Sequence, residues 1–393
     1  METYSLYIHI PFCKKRCSYC DFNTYAGMED KIQDYVAALC QEISLVSSTA
    51  SQRLQAHTIF FGGGTPSLLP PAQFETVMRL LKTSFDLIPG YEATFEANPG
   101  TVSLDYLLSL RKTGFNRVSF GMQSANPADL ALLGRIHNYW DVIDAVKWAH
   151  QAGFHQINLD LIFGLPFQTL NRWQQTVELA LGLMPEHLSL YALIVEIATP
   201  LYQWVNRGLV AQPDDDLAAE MYEWASERLE QAGYQQYEIS NWAKKDDGGK
   251  LLACRHNIQY WRNLPYLGFG AGAHGYASGY RLANVPGVTP YINKFWDNKK
   301  ADFPFSPANE QVNKINKRVE MEETMMVGLR LTDEGVSLQD FQTRFGESVQ
   351  DIFGKEIQYL EKVGLLETGD RLRLTKHGRL LGNQVFMRFI GSS

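Results

Sequence analysis

Short apolar runs recur along the first half of the chain, at Leu6–Pro11, Thr58–Phe61, Ala93–Glu96, Arg117–Phe120, Gln156–Phe163 and Leu188–Ile194. Between them lie longer stretches in which apolar residues return every three or four positions: Ile32–Leu45, Phe74–Phe85, Leu104–Thr113, Trp140–Ala152 and Leu170–Leu183. The first pattern has the length of a buried strand, and the second has the period of an amphipathic helix. Strands alternating with helices imply βαβ units, whose crossovers make neighbouring strands parallel. Six such units, each too short to be a domain, predict an α/β fold: an incomplete, TIM-like parallel β/α barrel. In a barrel of this kind the chemistry sits at the carboxyl ends of the strands.

From about Ser306 the pattern changes. Arg318–Leu329, Leu338–Phe345 and Ile352–Val363 have helical periods, and Leu372–Leu374, in glycine-bearing polar surroundings, reads as the wing of a small winged-helix-like domain. The expected organisation is a core domain over 1–300 and a C-terminal domain over 301–393. Winged helices often bind DNA, but residues 301–393 hold 12 Lys and Arg against 14 Asp and Glu. Without a basic excess the attraction to phosphate is missing, so no nucleic-acid partner is expected. The domain is expected to cover the barrel mouth or to meet a protein partner.

Composition narrows the class without naming a chemistry. At 393 residues, 45% hydrophobic and 20% charged, the chain has the make-up of a globular protein with one sizeable core and a smaller domain. Its net charge of −7 gives no general reason to bind nucleic acid. The start, Met-Glu-Thr-Tyr-Ser, lacks the basic and apolar regions of a signal peptide. The most apolar stretch, Leu188 to Val205, contains Glu196 and Pro200 and reads as a strand plus loop, so no membrane span is expected. Lys244–Lys250 reads as a short charged loop.

Candidate chemistry begins with Cys13, Cys17 and Cys20, spaced C-x3-C-x2-C directly after the first apolar run. Three thiolates on one short loop can hold a cubane iron–sulfur cluster with one iron left open. A disulfide would leave an odd cysteine, and no fourth Cys or His stands at zinc-finger distance. Reduced, cluster-binding thiols need a reducing compartment, which makes the cytoplasm the expected location. Cys40 and Cys254 read as packing residues; Cys254 lies two residues before His256, which keeps a metal-ligand reading of that pair open. The second motif, Gly62-Gly63-Gly64-Thr65-Pro66, ends another apolar run, where glycines let backbone approach a ligand and present its N–H groups. On its own it is also compatible with a tight turn. Further strand ends carry Glu96 and Asn98, Gln123, and Asp160, with Arg135 in Leu133-Gly-Arg-Ile-His137. Singly, each of these is more often a cap or a salt bridge than a ligand contact, and their shared location at strand ends favours a common binding site.

The cysteine spacing, with Tyr19 before the last cysteine, resembles the cluster loop of the radical S-adenosylmethionine (SAM) superfamily. That resemblance implies a [4Fe–4S] cluster whose open iron is chelated by SAM. Tyr-Ile-His-Ile-Pro-Phe-Cys, Gly-Gly-Gly-Thr-Pro, Glu-Ala-Asn-Pro, Gly-Met-Gln-Ser, Leu-Gly-Arg and Asp-Leu-Ile-Phe-Gly-Leu-Pro together resemble the oxygen-independent coproporphyrinogen III oxidase family over essentially the whole chain. It implies cluster ligation by Cys13, Cys17 and Cys20, and SAM contacts from Tyr7, Gly63, Gly64, Thr65, Glu96, Gln123, Arg135 and Asp160. One departure stands out: the oxidases carry a further cysteine two residues after the third cluster cysteine, where this chain has Phe22. The chain also has only six residues before Tyr7, where the oxidases carry an additional segment.

Both departures, with the Cys-Asp-Phe sequence, resemble an oxidase-like branch whose members are haem chaperones. A His-Asn-x-x-Tyr-Trp element, here His256-Asn257-Ile-Gln-Tyr260-Trp261, marks that branch. An imidazole is a normal axial ligand of haem iron, and in a helix His256 and Tyr260 would share a face. From chemistry alone, a buried histidine and aromatic pair closing the barrel edge is the favoured reading, and the resemblance to that branch reverses the preference. Gly268-Phe-Gly-Ala-Gly-Ala-His274 is a glycine-rich turn that could also face bound ligands, with His274 a second-rank candidate. The expected function is a haem chaperone passing haem to recipients such as respiratory enzymes, membrane-associated ones included. The alternative is an active coproporphyrinogen III oxidase. A second copy of the chain is a further candidate partner.

Overall fold

The computed structural model describes residues 2–296 and 300–391. Its chain opens with β1 (Thr3–Ile10), followed by two short strands, β2 (Phe12–Cys13) and β3 (Tyr25–Ala26), which pair with each other and bracket the cysteine loop. Then β4 (Gln55–Gly63), β5 (Asp86–Ala97), β6 (Arg117–Gln123), β7 (Ile157–Phe163) and β8 (His187–Ala192) join β1 in chain order, each parallel to the last. Helices α1 (Ile32–Thr49), α2 (Pro71–Ser84), α3 (Leu104–Thr113), α4 (Pro127–Leu133), α5 (Tyr139–Gln151) and α6 (Leu170–Gly182) fill the crossovers. These are the six predicted βα units, arranged as the predicted incomplete barrel.

The alternation within β1 shows why the sheet curls around a polar interior. Tyr4, Leu6, Ile8 and Ile10 join the main apolar cluster, together with Tyr35, Leu39 and Ile43 of α1. Ser5, Tyr7 and His9 fall on the opposite face, because side chains alternate along a strand. Burying each such Leu or Ile contributes about 1.5–3 kcal/mol, so a one-residue register slip that exposed this face would be costly.

Several elements lie outside the predicted pattern. The strand expected at Ala93–Glu96 runs from Asp86, because its first half is a mostly exposed extension containing Pro89 and Gly90. Within Leu188–Val205 the strand stops at Ala192, and helix α7 (Pro200–Asn206) starts under the Thr199 cap, with Pro200 at its first position. Helix α8 (Asp215–Gln231) follows. Beyond it, β9 (Gln235–Glu238) and β10 (Asn241–Ala243) extend the sheet antiparallel past β8. On the other edge, helix α9 (Arg255–Trp261) leads to β11 (Tyr266–Phe269), which is parallel to β1. A meander of β12 (His274–Ala277), β13 (Tyr280–Asn284) and, after α10 (Val288–Asn293), β14 (Asn309–Lys314) completes twelve strands. The large sheet therefore continues past residue 300.

A second apolar cluster begins at Met321. It packs α11 (Lys317–Gly328), α12 (Leu338–Phe345) and α13 (Val349–Lys362) on a small antiparallel sheet of β15 (Val336–Ser337), β16 (Leu366–Thr368) and β17 (Arg371–Leu374), the predicted wing. This unit docks beside α9: Arg330 stacks 4.4 Å from the Trp261 ring centroid, and its carbonyl accepts from the Ile239 amide at 3.1 Å. Among the described residues no helix is long and apolar enough to cross a membrane.

Candidate functional site

The carboxyl ends of β4, β5, β6, β7 and β8 open on one cavity of about 480 Å³. Cys13, Cys17 and Cys20 line it, as do Gly63, Gly64, Thr65, Glu96, Gln123, Arg135 and Asp160. Every sequence-derived cluster and SAM residue except Tyr7 is therefore brought together.

The glycine motif is held against the cysteine loop. The Gly64 amide donates to the Ile10 carbonyl at 2.9 Å, and the Thr65 amide donates to the Phe12 carbonyl at 2.8 Å. A Cβ on Gly64 would stand 2.6 Å from that same Phe12 oxygen, so only glycine fits. The Gly63 amide donates to Glu96 Oε2 at 3.0 Å. The expectation that this motif presents free N–H groups is thus corrected. All three amides are committed internally, and acceptors are what the motif leaves for a ligand.

The other side chains are fixed by short local devices. Helix α4 ends at Gly134 in a left-handed turn (φ 71°), and the next residue, Arg135, reaches back to the cavity. Its Nη2 donates to the Gly121 carbonyl at 2.8 Å and its Nη1 lies 3.5 Å from Cys17 Sγ. Asp160 accepts from Ser119 at 2.7 Å and from Asn158 at 2.8 Å. Glu96 is pushed up to about 8 by burial and by the neighbouring Asp160 carboxylate. Two buried polar atoms here, Gln123 Oε1 and Arg135 Nε, have no partner among the described residues. A ligand bearing an ammonium, hydroxyls and a carboxylate matches these spare acceptors and donors.

Burial also pushes up the Cys13 and Cys20 thiols, opposed at Cys13 by the Thr65 hydroxyl 3.6 Å away. Among the described residues no three His, Cys, Asp or Glu side chains converge on a single-ion geometry. A cubane takes one thiolate per iron, so three thiols lining one cavity suit a cluster rather than one metal ion. The donor set fits the [4Fe–4S] cluster.

A second cavity, of about 700 Å³, adjoins the first and shares Phe22, Gly63 and Glu96 with it. Tyr7 lines this second space instead, its hydroxyl 2.9 Å from His9 Nδ1. Tyr260 and Trp261 line it as well, and so does His274. Phe22, at the position of the oxidases' extra cysteine, is 66% exposed at the junction.

His256 does not reach that cavity. It is 1% exposed, with Nδ1 2.8 Å from the Thr58 hydroxyl and Nε2 2.8 Å from the Tyr260 hydroxyl. Phe60 stacks on it with ring centroids 5.0 Å apart. Burial drives its pKa down to about 3, so it is neutral. Both ring nitrogens are engaged in this structure, so an axial bond from His256 to haem iron requires one of these hydroxyl contacts to be exchanged. Sequence reasoning missed His9, Ser119, Asn158 and Tyr191 around these cavities. His9 sits inside a quoted motif, but nothing in a linear sequence says which way its ring points.

Residues 7–180 match the model of the Radical SAM superfamily, and residues 315–381 that of the HemN C-terminal domain. The chain is 40% identical to Heme chaperone HemW of Bacillus subtilis, covering 98% of this chain and 99% of that protein. It is 36% identical to Heme chaperone HemW of Mycobacterium tuberculosis H37Rv, over 99% of this chain and 95% of that one. It is also 36% identical to Radical S-adenosyl methionine domain-containing protein 1, mitochondrial, of Mus musculus, over 92% and 81% of the two chains. Coproporphyrinogen III oxidase (HemN) from Escherichia coli, a radical SAM enzyme, has the same fold: a TM-score of 0.84 at 23% identity, over 100% of this chain and 91% of that one.

Proposed function

This chain belongs to the HemW family of radical SAM proteins, and we propose that it binds haem and hands it to recipient haem proteins, respiratory enzymes among them, in the cytoplasm or at the membrane face. The observation that carries the reading against decarboxylation is Phe22. At the junction of the two cavities, where the resemblance puts a fourth thiol in the oxidases, this chain has an exposed phenyl ring. A phenyl ring can cover a porphyrin face but supplies neither a thiol nor a proton.

Superfamily membership implies a [4Fe–4S] cluster and SAM. Cys13, Cys17 and Cys20 would hold the cluster, which when bound supplies an open iron site. Gly63, Gly64, Thr65, Glu96 and Asp160 offer acceptors to an ammonium or to ribose hydroxyls. Gln123 offers its spare acceptor, and Arg135 pairs with a carboxylate. These residues orient and desolvate the ligand.

The test uses full-length protein with its cluster reconstituted anaerobically. Haem titration is followed by the Soret band, and coproporphyrinogen III is offered with SAM and a reductant. Saturable haem binding without release of carbon dioxide is expected. SAM-dependent carbon dioxide release would assign the chain to the oxidases instead.

A further inference from the structure

We infer that His187, the first residue of β8, is a positioning residue for SAM: through Asn158 it sets the direction of the Asp160 carboxylate. This rests on the reading that Asp160 meets SAM, and adds the group that aims it.

His187 stands at the opposite end of β8 from Tyr191 and Ala192, which line the SAM cavity. It is 1% exposed and does not line that cavity itself. Strand register brings its partners together, since Ser119 of β6, Asn158 of β7 and His187 of β8 are direct neighbours across the sheet. Asp160 lies two residues further along β7, on the same face and one step nearer the cavity. His187 Nδ1 is 2.6 Å from Asn158 Oδ1, to which Ser189 also donates at 3.1 Å. Asn158 Nδ2 donates to Asp160 Oδ1 and to the Ser119 hydroxyl, both at 2.8 Å. Ser119 donates to Asp160 Oδ2 at 2.7 Å. On the far side, His187 Nε2 is 2.9 Å from the Tyr237 hydroxyl, whose oxygen accepts from the amide of Cys254, the cap of α9, at 3.2 Å.

This chain has one direction. A carboxylate only accepts, so the Asn158 atom facing Asp160 is Nδ2, and Oδ1 is left to face His187. The imidazole proton therefore sits on Nδ1. Burial and the nearby Arg117 guanidinium hold the His187 pKa well below its usual value, so the ring carries no second proton. Burial pushes the Tyr237 phenol up, and its proton is the one the Nε2 lone pair accepts. From the cap of α9 onward, every group thus donates toward Asp160. The other tautomer of His187 would set a lone pair against Asn158 Oδ1 and turn the amide, bringing its oxygen against the carboxylate. With the amide fixed, Asp160 keeps its cavity-side lone pairs for the donors of a ligand.

The test measures SAM binding by equilibrium dialysis on full-length, cluster-reconstituted protein. Asparagine puts an amide N–H where His187 has Nδ1, whereas leucine fills the space without a donor. His187→Leu should lose about tenfold or more in SAM affinity, and His187→Asn should stay within about threefold of the wild type. A packing role predicts the reverse order, because leucine supplies apolar volume and asparagine leaves a void. In an Asp160→Asn background, His187→Leu should cost nothing further, since it acts through that carboxylate. Retained affinity in His187→Leu, an equal loss in His187→Asn, or the full loss in the Asp160→Asn background would each overturn the assignment. Should His187→Leu fail to fold, Tyr237→Phe decides, because it removes one hydroxyl and frees Nε2. About threefold loss of affinity, absent in the Asp160→Asn background, is then expected, and wild-type affinity would overturn the inference. Failure of the wild type itself to bind SAM would instead overturn the SAM reading.

Discussion

His256 Nε2 lies 2.8 Å from the hydroxyl of Tyr260, one helical turn away, and this bond closes a chain that begins at Thr58 in the sheet. The imidazole therefore links the barrel interior to a ring that walls the second cavity. His256→Ala removes the partner of the Tyr260 hydroxyl and leaves a void against Phe60, and should cost about 2–4 kcal/mol in urea unfolding. Its haem complex, once formed, should keep the wild-type Soret position. A shifted band at unchanged stability would restore His256 as a ligand.

Replacing Cys13, Cys17 or Cys20 singly by Ala should leave the cluster under-ligated. Iron analysis after anaerobic reconstitution should then fall well below the wild type, while far-ultraviolet circular dichroism is unchanged. The same change at Cys254, buried away from this loop, should leave iron content as it was. Full iron loading in a triple Cys→Ala protein would refute the assignment.

Glu96 gives a signed dependence on pH. Its pKa is raised to about 8 in the fold, first by burial and then by Asp160, so the folded state holds the proton more tightly than the unfolded chain. The stability it contributes is full below its ordinary value of 4.5 and is lost as pH climbs through about 8. Glu96→Gln should flatten that decline, gaining about 1–3 kcal/mol at high pH after allowance for partial solvent screening. The same variant should bind SAM more weakly, for want of a carboxylate opposite the ammonium. Parallel urea midpoints for both proteins between those pH values would contradict the burial argument.

Arg135 and Asp160 occupy opposite charges of one cavity, and neither is needed by the apolar core. Arg135→Ala with Asp160→Asn should lower SAM affinity at least about tenfold in equilibrium dialysis, the scale of one lost charge-assisted pair. Unfolding should remain cooperative. Unchanged affinity would remove both residues from the SAM site.

Much of this protein was legible in its sequence, because local chemistry determined it. The apolar runs and helical periods predicted the six parallel strands, since a strand buried on one face must repeat in that way. The cysteine spacing and the polar residues at strand ends predicted which side chains meet, because barrel topology sends strand ends to one rim. The extensions at the two edges, β9 and β10 beyond β8 and β11 to β14 beyond β1, were not legible. Those strands are short, and several are stabilised by edge pairing rather than by an apolar repeat of their own.

Only the tertiary structure decided the direction and availability of single groups. His256 stood in the most suggestive motif, yet it is enclosed by Thr58 and Phe60 from a strand some two hundred residues earlier in the chain. His274, on an unremarkable turn, is left with its ring free at a cavity. Residue type sets which bonds a side chain is able to make, and this can be read along the chain. Which of those bonds are already made depends on neighbours that only folding brings within 3 Å, a distance at which one hydroxyl suffices to occupy a nitrogen lone pair.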